Sequence, residues 1–327
     1  MASTSINVTK GLQGLRSLAP GGVLSVGNFD GLHLGHRKII ETAKGLLAPG
    51  ARLAVVTFEP HPLTVLRPDL APPRLTPPEK KRELLAEAGV DNLVELPPDP
   101  EVLNLTAEAF WAILRDDVRP THIVEGTSFN FGKGRGGTID KLREWANGSP
   151  VKLEVIAGVS VPLLDLQIVE VSSSLIRWLT AYGRVRDAAI CLGRAYALRG
   201  EVIKGHQRGR TIGIPTANLR VTDQLVPPDG VYAGRATVGG KTFAAAVSIG
   251  TMPTFGENQR QVEAHLIHFD ADLYGQTLEV ELTDWIREQS KFTSVDALKF
   301  QMRRDIAYAE ERADRRVDRS IAKIASA

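Results

Sequence analysis

Residues 23–36, VLSVGNFDGLHLGH, decide the fold of the amino-terminal half. Their first four residues form an apolar run that predicts a buried strand, and apolar residues then recur on one helical face through residues 36–47. Pro49-Gly50 ends that helix, and a second apolar run follows at residues 53–58. A strand, a helix and another strand in this order predict a βαβ unit, which requires a parallel sheet.

The same alternation continues along the first half of the chain. Further strands are expected at residues 93–96, 122–125 and 151–156, and further helices at residues 79–88, at residues 107–114 and from about Ser173. Six prolines from Pro62 to Pro78 exclude a central strand there, so a loop or flap is expected. The pattern as a whole predicts a parallel sheet covered by helices.

In the second half of the chain, the pattern of apolar residues changes to a series of short extended runs. Short extended runs separated by Gly-rich or charged turns predict an antiparallel barrel, with strands near residues 197–203, 230–238, 241–249, 262–269 and 278–282. A helix is expected at residues 294–306. We place the junction near residues 183–193, which gives domains at residues 1–185 and 186–308 and a charged, solvated tail at residues 309–327.

Composition narrows the class of protein. A chain of 327 residues is long enough for two domains, and its 43% apolar and 24% charged residues exclude a disordered, collagenous or disulfide-scaffold protein. The net charge of +2 gives no reason to expect nucleic acid or an anionic membrane as a partner. The single cysteine, Cys191, closes no intramolecular disulfide, and no stretch resembles a membrane span or a secretory signal, so a cytoplasmic location is expected.

The turn at residues 27–36 carries the first chemical signal. Its glycines let the backbone approach phosphate, and the helix that follows offers unpaired N–H groups. His33 and His36 suit a role as hydrogen-bond donors to an α-phosphate and a leaving pyrophosphate in adenylyl transfer. A pair of surface histidines is the alternative, and a zinc site formed with His61 lacks a supporting Cys cluster or His-Glu-x-x-His helix.

The second signal lies in the predicted barrel. The Gly/Arg-rich segment at residues 204–213 can surround phosphate with backbone N–H groups and guanidinium charge. Thr216 and Asn218 alternate on one strand face, which lets a hydroxyl and an amide oxygen reach one Mg²⁺ together with nucleotide phosphates. The alternative is an ordinary β-turn followed by a Pro-Thr strand.

Several motifs together resemble a known family. They are GNFDGLHLGH at residues 27–36, FEPHP at 58–62, FNFGKG at 129–134, SSSLIR at 172–177, GEVIKG at 200–205, GR at 209–210, GIPTAN at 213–218, PTF at 253–255, EAH at 263–265 and YG at 274–275. In this order they resemble the bacterial bifunctional riboflavin kinase/FMN adenylyltransferases (FAD synthetases) over residues 20–306. The resemblance implies a Rossmann-like nucleotidyltransferase domain followed by a riboflavin-kinase barrel with a carboxyl-terminal helix.

The resemblance also implies roles for individual residues. For adenylyl transfer it implies catalysis by His33, His36 and Arg177, ATP binding by Gly27, Asn28, Phe29, Asp30, Gly31, Ser172 and Ser173, and flavin binding by Phe58, His61, Pro62 and Ser128. For the kinase it implies a catalytic base at Glu263, ATP binding by Gly205, Arg208, Gly209, Arg210, Gly213, Thr216 and Asn218, Mg²⁺ at Thr216 and Asn218, and flavin binding by Arg287. N-capping is the competing explanation for the serines, strand-end packing for Phe58, and a surface salt bridge for Arg287.

Three positions depart from the family pattern. Thr127-Ser128 stands where Glu-Asp or Glu-Asn is usual, Ser174 replaces a usual threonine, and Ser248 stands where asparagine is common. A serine hydroxyl has a shorter reach than an amide and offers no amide oxygen. The first departure affects adenylyl transfer more than the kinase.

We therefore expect an enzyme that converts riboflavin and ATP to FMN and ADP, and then FMN and ATP to FAD and pyrophosphate, with Mg²⁺. Its partners are small molecules, and it is a monomer or weak homo-oligomer. The alternatives are a riboflavin kinase with a weak or degenerate adenylyltransferase half, adenylyl transfer to another phosphorylated acceptor, and a non-enzymatic flavin- or nucleic-acid-binding regulator.

Overall fold

A computed structural model describes residues 5–205, 212–251 and 260–313. Packing divides the chain into two compact units, one of Met1–Pro72 and Thr76–Val159 and the other of Pro73–Leu75 and Ser160–Ala327. Residue 185, the expected junction, lies inside the second unit, because two helices that precede the barrel pack with it. The division of the two activities at that residue stays a prediction.

The first unit contains a six-stranded sheet. Its strands are β1 (Asn7–Lys10), β2 (Val23–Val26), β3 (Leu53–Phe58), β4 (Asn92–Leu96), β5 (His122–Gly126) and β8 (Lys152–Ile156), while β6 (Asn130–Phe131) and β7 (Gly137–Thr138) form a short hairpin. The sheet order is β1-β4-β3-β2-β5-β8, and every ladder in it is parallel. The predicted parallel α/β fold is therefore confirmed.

Helices cover both faces of this sheet. They are α1 (Gly11–Arg16), α2 (Leu34–Gly45), α3 (Leu63–Leu66), α4 (Pro78–Glu87), α5 (Pro100–Leu103), α6 (Ala107–Ala112) and α7 (Ile139–Asn147), and α6 continues as a π-helical turn at Ile113–Val118. Helices α1, α6 and α7 pack on one face, and α2 and α4 pack on the other. The polar strand β1 and the short helix α1 were not anticipated, because an edge strand of sequence NVTK has no apolar alternation.

The sheet has a topological switch point between β2 and β5. From β2 the chain proceeds to β3 and β4 on one side, and it returns to β5 and β8 on the other. The β2–β5 ladder pairs Val23 with His122 and Leu24 with Ile123, and beyond these residues the two strands are not paired with each other. In open α/β sheets, ligands bind outside the carboxyl ends of strands at such a point.

The second unit contains the barrel. A hairpin of β9 (Ser160–Pro162) and β10 (Ile168–Glu170) leads through α8 (Ser173–Ala181) and α9 (Val185–Leu192) into β11 (Tyr196–Ile203), β12 (Ala217–Arg220), β13 (Gly230–Val238), β14 (Lys241–Thr251), β15 (Arg260–Leu266) and β16 (Thr277–Arg287). The last six strands close as β11-β12-β15-β14-β13-β16, and all their ladders are antiparallel. The predicted antiparallel barrel is confirmed.

The carboxyl-terminal helix α10 (Val295–Ala313) packs against the barrel. It continues past residue 309, where the sequence analysis places the start of a solvated tail. The reason is that Ala309 and Ala313 are 0% and 5% exposed, so this part of the helix is buried. Residues 314–327 lie outside the described part of the chain.

Candidate active sites of the two units

The first candidate site is the turn between β2 and α2, at the carboxyl edge of the parallel sheet. The Gly27 N–H donates to the Val56 carbonyl at 2.9 Å, and the Thr57 hydroxyl donates to the Asn28 carbonyl at 3.0 Å. Gly31 has φ +83°, a left-handed conformation that glycine adopts without strain. These features fix the path of the turn and bring its backbone over the strand ends.

Two of the predicted ATP-binding residues in this turn, Phe29 and Asp30, have buried side chains. Phe29 is 1% exposed and belongs to the core beneath α2 and α4. Asp30 is 8% exposed, and its carboxylate accepts a hydrogen bond from the Thr76 N–H at 3.1 Å. Of these predicted ATP-binding residues, Phe29 can therefore offer a nucleotide only its backbone, and Asp30 ties the turn to the segment before α4.

His33 and His36 lie side by side where α2 begins. Their ring centroids are 3.6 Å apart, and the planes differ by 20°. His33 is the N-cap, and its Nδ1 accepts the backbone N–H of His36 at 3.4 Å. A neutral imidazole whose Nδ1 is an acceptor carries its proton on Nε2. His33 therefore presents an N–H donor, as the expected role toward a phosphate oxygen requires.

The surroundings of His36 keep its imidazole neutral. Its Nδ1 is enclosed and has no hydrogen-bond partner within the part of the chain that the structure describes. Burial of the ring lowers the pKa of His36 well below 6.5, followed by the repulsion that a protonated His33 and the Lys81 ammonium would exert on an imidazolium. Lys81 is 5% exposed, and its ammonium pairs with the Glu59 carboxylate at 3.0 Å. The motifs in the sequence do not single out this pair. The available signal is the position of Glu59 directly after β3 and of Lys81 in the first turn of α4.

Glu125 is a second buried acid at this edge that the sequence analysis did not single out. It is 2% exposed, and its Oε1 accepts the Val26 N–H at 2.6 Å. Because the β2–β5 ladder ends at Leu24, two residues before Val26, the Glu125 side chain supplies an acceptor that the backbone of β5 no longer provides. Burial raises the pKa of Glu125 well above 4.5, against the opposing effect of the hydrogen bond from Val26.

The residues expected on the flavin side follow two strand ends of the first unit. Phe58 is the last residue of β3 and packs against the core that includes α6 and α7. The Nδ1 of His61 accepts the Leu63 N–H at 3.1 Å, and Pro62 is the N-cap of α3. Ser128 follows β5 by two residues. The packing explanation for Phe58 therefore has direct support, and the flavin roles stay predictions.

Ser172, Ser173 and Arg177 belong to the second compact unit. The Ser172 hydroxyl accepts the Leu175 N–H at 3.2 Å and caps α8, which begins at Ser173. The Nε of Arg177 donates to the Pro73 carbonyl at 2.8 Å. These contacts support the N-capping explanation for Ser172 and leave the phosphate-binding roles as predictions.

The second candidate site lies on the outward face of the barrel, where three neighbouring strands place polar residues in a row. Glu263 on β15 is directly opposite Asn218 on β12 and Ser248 on β14. Cross-strand partners point to the same side of a sheet, with Cβ atoms about 4.5–5.5 Å apart. The neighbours Val262 and Ala264 are each 1% exposed and fill the barrel interior, so the row Asn218, Glu263 and Ser248 faces outward.

Two further contacts shape this row. A Cβ on Gly205 would lie 2.4 Å from the side-chain nitrogen of Asn218, so the backbone of Gly205 packs directly on that amide. The Nδ1 of His265 lies 2.7 Å from the Pro215 carbonyl and can donate to it, which holds the segment that leads into β12. Thr216 is half-buried and precedes Asn218 by two residues. The role of His265 was not anticipated, although it follows Glu263 by two residues and shares its strand face.

The remaining kinase residues are divided between described and undescribed parts of the chain. Gly213 is exposed at the turn before Ile214. The predicted phosphate-binding residues Arg208, Gly209 and Arg210 lie outside the described residues, as does the motif at 253–255. Of the predicted phosphate-binding segment at residues 204–213, the structure describes residues 204–205 and 212–213.

Arg287 forms a bidentate ion pair at the end of β16. Its Nε donates to both carboxylate oxygens of Asp305 on α10 at 3.0 and 3.1 Å, and its Nη2 donates to Oδ2 at 2.7 Å. The Asp305 side chain is 5% exposed. The guanidinium carbon also lies 5.6 Å from the centroid of the Phe292 ring. The salt bridge weighed for Arg287 is therefore present but buried on one side, and its flavin role stays a prediction.

Cysteine and metal chemistry find little support among the described residues. Cys191 on α9 is 0% exposed, and burial raises the pKa of its thiol to about 12, so it is a packing residue. Residues 5–205, 212–251 and 260–313 contain no group of three His, Cys, Asp or Glu side chains placed to hold a metal ion. Within the same ranges, no helix is both long and apolar enough to cross a bilayer.

Comparison with protein families gives two matches that together span most of the chain. An FAD synthetase model matches residues 16–175, and a riboflavin kinase model matches residues 192–313. The expected junction at residue 185 falls in the interval between them.

Individual relatives give the same result. A bifunctional riboflavin kinase/FMN adenylyltransferase of Bacillus subtilis is 37% identical over 86% of this chain and 90% of its own length. The protein of that name from Escherichia coli K12 is 36% identical over 94% and 97%. A crystal structure titled a macrolide-efflux protein from Streptococcus pneumoniae has a TM-score of 0.81 at 29% identity, covering 93% of this chain and 99% of that one. The chain therefore belongs to the family of bifunctional riboflavin kinase/FMN adenylyltransferases.

Proposed function

We propose that the carboxyl-terminal half phosphorylates riboflavin and that the amino-terminal half adenylylates the product. In the first reaction a ribityl hydroxyl oxygen attacks the γ-phosphorus of ATP, which gives FMN and ADP. In the second, a phosphate oxygen of FMN attacks the α-phosphorus of another ATP, which gives FAD and pyrophosphate. The family names and the ranges that the two models match support this assignment.

The observation that carries the kinase assignment is the row Asn218, Glu263 and Ser248. We propose that the Glu263 carboxylate accepts the proton of the ribityl hydroxyl as its oxygen attacks phosphorus. An isolated glutamate on a barrel would usually face solvent without a polar partner across the sheet. Here the barrel register sets Glu263 directly between an amide and a hydroxyl.

Asn218 and Thr216 are the proposed protein ligands of Mg²⁺. They offer an amide oxygen on β12 and a hydroxyl oxygen on the residue just before β12. Mg²⁺ commonly shares such oxygens with nucleotide phosphates and water. The close packing of Gly205 on Asn218 supports this role, because it fixes the amide beside the start of the predicted phosphate loop. When bound, Mg²⁺ neutralises phosphate charge. Arg208, Gly209, Arg210 and Gly213 are the proposed phosphate-binding residues that accompany it.

In the adenylyltransferase half, we propose that His33 and His36 donate hydrogen bonds to phosphate oxygens. FMN already carries an ionised nucleophile, so the reaction requires charge stabilisation more than a general base. The neutral tautomer of His33, with its proton on Nε2, supports this role. Ser172, Ser173 and Arg177 are the further residues proposed to contact ATP phosphates, and Phe58, His61, Pro62 and Ser128 are those proposed for the flavin.

The partners, cellular location and oligomeric state are also proposals. The substrates are small molecules, and the buried free thiol of Cys191 fits a reducing compartment, for which we propose the cytoplasm. A monomer or weak homo-oligomer is proposed. The small net charge of the chain gives no reason to expect nucleic-acid or membrane partners.

The test is a pair of activity measurements on one preparation. With riboflavin, ATP and Mg²⁺, chromatography should resolve FMN and then FAD, and with FMN and ATP it should resolve FAD alone. Glu263→Gln should lower the kinase kcat by about 10²–10⁴ with little change in ATP affinity. Adenylylation of supplied FMN by the same variant is the matched control and should be unchanged. Near-normal kinase turnover in Glu263→Gln would reject Glu263 as the base, and FMN without FAD would reject the second activity.

A further inference from the structure

The segment after β16 places an amide beside the row that contains Glu263. The Nε2 of Gln289 donates to the Ser248 hydroxyl at 2.8 Å and to the Ile249 carbonyl at 3.1 Å. A Cβ on Gly250 would lie 3.3 Å from the same nitrogen. The Gln289 amide therefore lies directly on the backbone of β14 at the point where Ser248 faces outward.

Ser248 connects this amide to the proposed base. Ser248 and Glu263 are direct cross-strand partners on β14 and β15, so their side chains leave the barrel on the same face. Because the Ser248 oxygen already accepts a hydrogen bond from Gln289, its own O–H is what it has left to donate within the row. Gln289 thus holds the Ser248 oxygen in place, and the Ser248 O–H remains a donor within the row.

The segment that carries Gln289 is itself anchored. Two residues earlier, Arg287 is held by the buried carboxylate of Asp305, and its Nη1 donates to the Glu288 carbonyl at 2.8 Å. These contacts limit the freedom of the chain immediately before Gln289. On an unanchored loop, the same two hydrogen bonds would also require the backbone around Gln289 to be ordered, at a cost in entropy. Here the ion pair of Arg287 with Asp305 already orders part of that backbone.

This geometry also accounts for a departure in the sequence. Ser248 stands where the family commonly has asparagine, which would carry an amide on the strand itself. Serine carries a hydroxyl and no amide. The Gln289 side chain brings an amide to the same point from a different segment of the chain.

We propose that Gln289 is a positioning residue for the riboflavin kinase reaction, acting through Ser248 to orient the acceptor hydroxyl of riboflavin against Glu263. The proposal rests on the proposed role of Glu263 as the base. It assigns to Gln289 no contact with ATP, so its loss affects the turnover of bound substrates and leaves ATP binding unchanged.

The test compares three variants in the full-length enzyme. Gln289→Ala should lower the kinase kcat by roughly tenfold to a hundredfold, with the KM for ATP changed less than about threefold. Ser248→Asn in the Gln289→Ala background should recover most of that loss, because it returns an amide to the strand. Glu288→Gln, a change at the exposed neighbour of Gln289, is the matched control and should leave the kinase unaffected.

Adenylylation of supplied FMN provides an internal measure of folding and should be the same in all variants. Unchanged kinase kcat in Gln289→Ala, while Glu263→Gln is inactive, would overturn the role of Gln289 and leave the base in place. Equal loss of both activities, or no recovery with Ser248→Asn, would reduce Gln289 to a structural contact and overturn the proposal. Near-normal turnover of Glu263→Gln would instead remove the proposed function on which the inference rests.

Discussion

Replacing Arg287 with alanine should loosen helix α10 from the barrel. The Asp305 side chain is 5% exposed, and within the described part of the chain its carboxylate would keep the hydrogen bond from Gln301, at 2.9 Å. Removing one partner of a buried ion pair costs about 3–5 kcal/mol, because the remaining charge is buried without compensation. The Arg287 side chain is 21% exposed, which places the expected cost near the lower limit, about 3 kcal/mol.

Hydrogen exchange measured by mass spectrometry on peptides of α10 reports this cost directly. Since each 1.4 kcal/mol is a factor of ten, Arg287→Ala should speed exchange of the helix roughly a hundredfold. Arg303→Ala, which changes an exposed arginine of the same helix, is the matched control. The double variant Arg287→Met with Asp305→Leu removes both charges and should restore most of the protection. A change below tenfold in Arg287→Ala, or equal loss in the single and double variants, would refute the reasoning.

The double variant also separates the two explanations for Arg287. If Arg287 serves only the ion pair, the double variant should recover both helix protection and the KM for riboflavin. If the guanidinium contacts the flavin as the family resemblance implies, protection should recover while the KM for riboflavin stays raised. Steady-state kinetics with riboflavin as the varied substrate distinguishes these outcomes.

Three further predictions concern the two candidate sites. Burial raises the pKa of Glu125, so its contribution to the stability of the folded protein is present below pH 4.5 and is lost as the pH rises through its folded-state pKa. Glu125→Gln keeps an acceptor for the Val26 N–H, and it should flatten the pH dependence of the free energy of unfolding measured in urea. Burial lowers the pKa of His36, so its contribution to the stability of the folded protein is present above pH 6.5 and is lost as the pH falls through its folded-state pKa. His36→Asn should flatten this loss in the same unfolding assay. An unchanged dependence of the free energy of unfolding on pH would contradict the burial argument. Gly205→Ala would place a Cβ 2.4 Å from the Asn218 amide and should lower the kinase kcat by about tenfold or more, with FMN adenylylation unaffected as measured by chromatography.

Much of the fold follows from local sequence pattern. The strands at Leu53–Phe58 and Gly230–Val238 have the bounds that their apolar runs predict, because a buried or half-buried strand must show its apolar residues at fixed spacing. Strand β1 gives no such signal, since its position depends on pairing with β4, which is more than eighty residues away. The division into compact units was equally hidden, because Pro73–Leu75 joins the second unit by tertiary contacts alone.

The sequence names candidate site residues, and the structure adds how these residues are arranged. The motif order identifies Glu263 and Asn218, yet only the barrel register shows that they are direct cross-strand partners. Glu125 was missed because its significance depends on where the β2–β5 ladder ends, which no local pattern encodes. Phe29 lies within the strongest motif and nevertheless has its side chain in the core, where it anchors the turn.

The departures from the family pattern have different physical consequences in the two halves. At Ser248, where the family resemblance implies an asparagine, the Gln289 side chain brings an amide to the strand. The Thr127 N–H donates to the Ile156 carbonyl at 3.2 Å, so the pairing with β8 continues to Thr127. Glu125, two residues earlier, therefore lies on the same side of the strand as Thr127. The Glu125 carboxyl is buried and engaged by the Val26 N–H, so it supports the sheet edge and does not take over the position of the usual carboxylate. A substitution in a site is therefore compensated only where another side chain reaches the same point and remains oriented toward it.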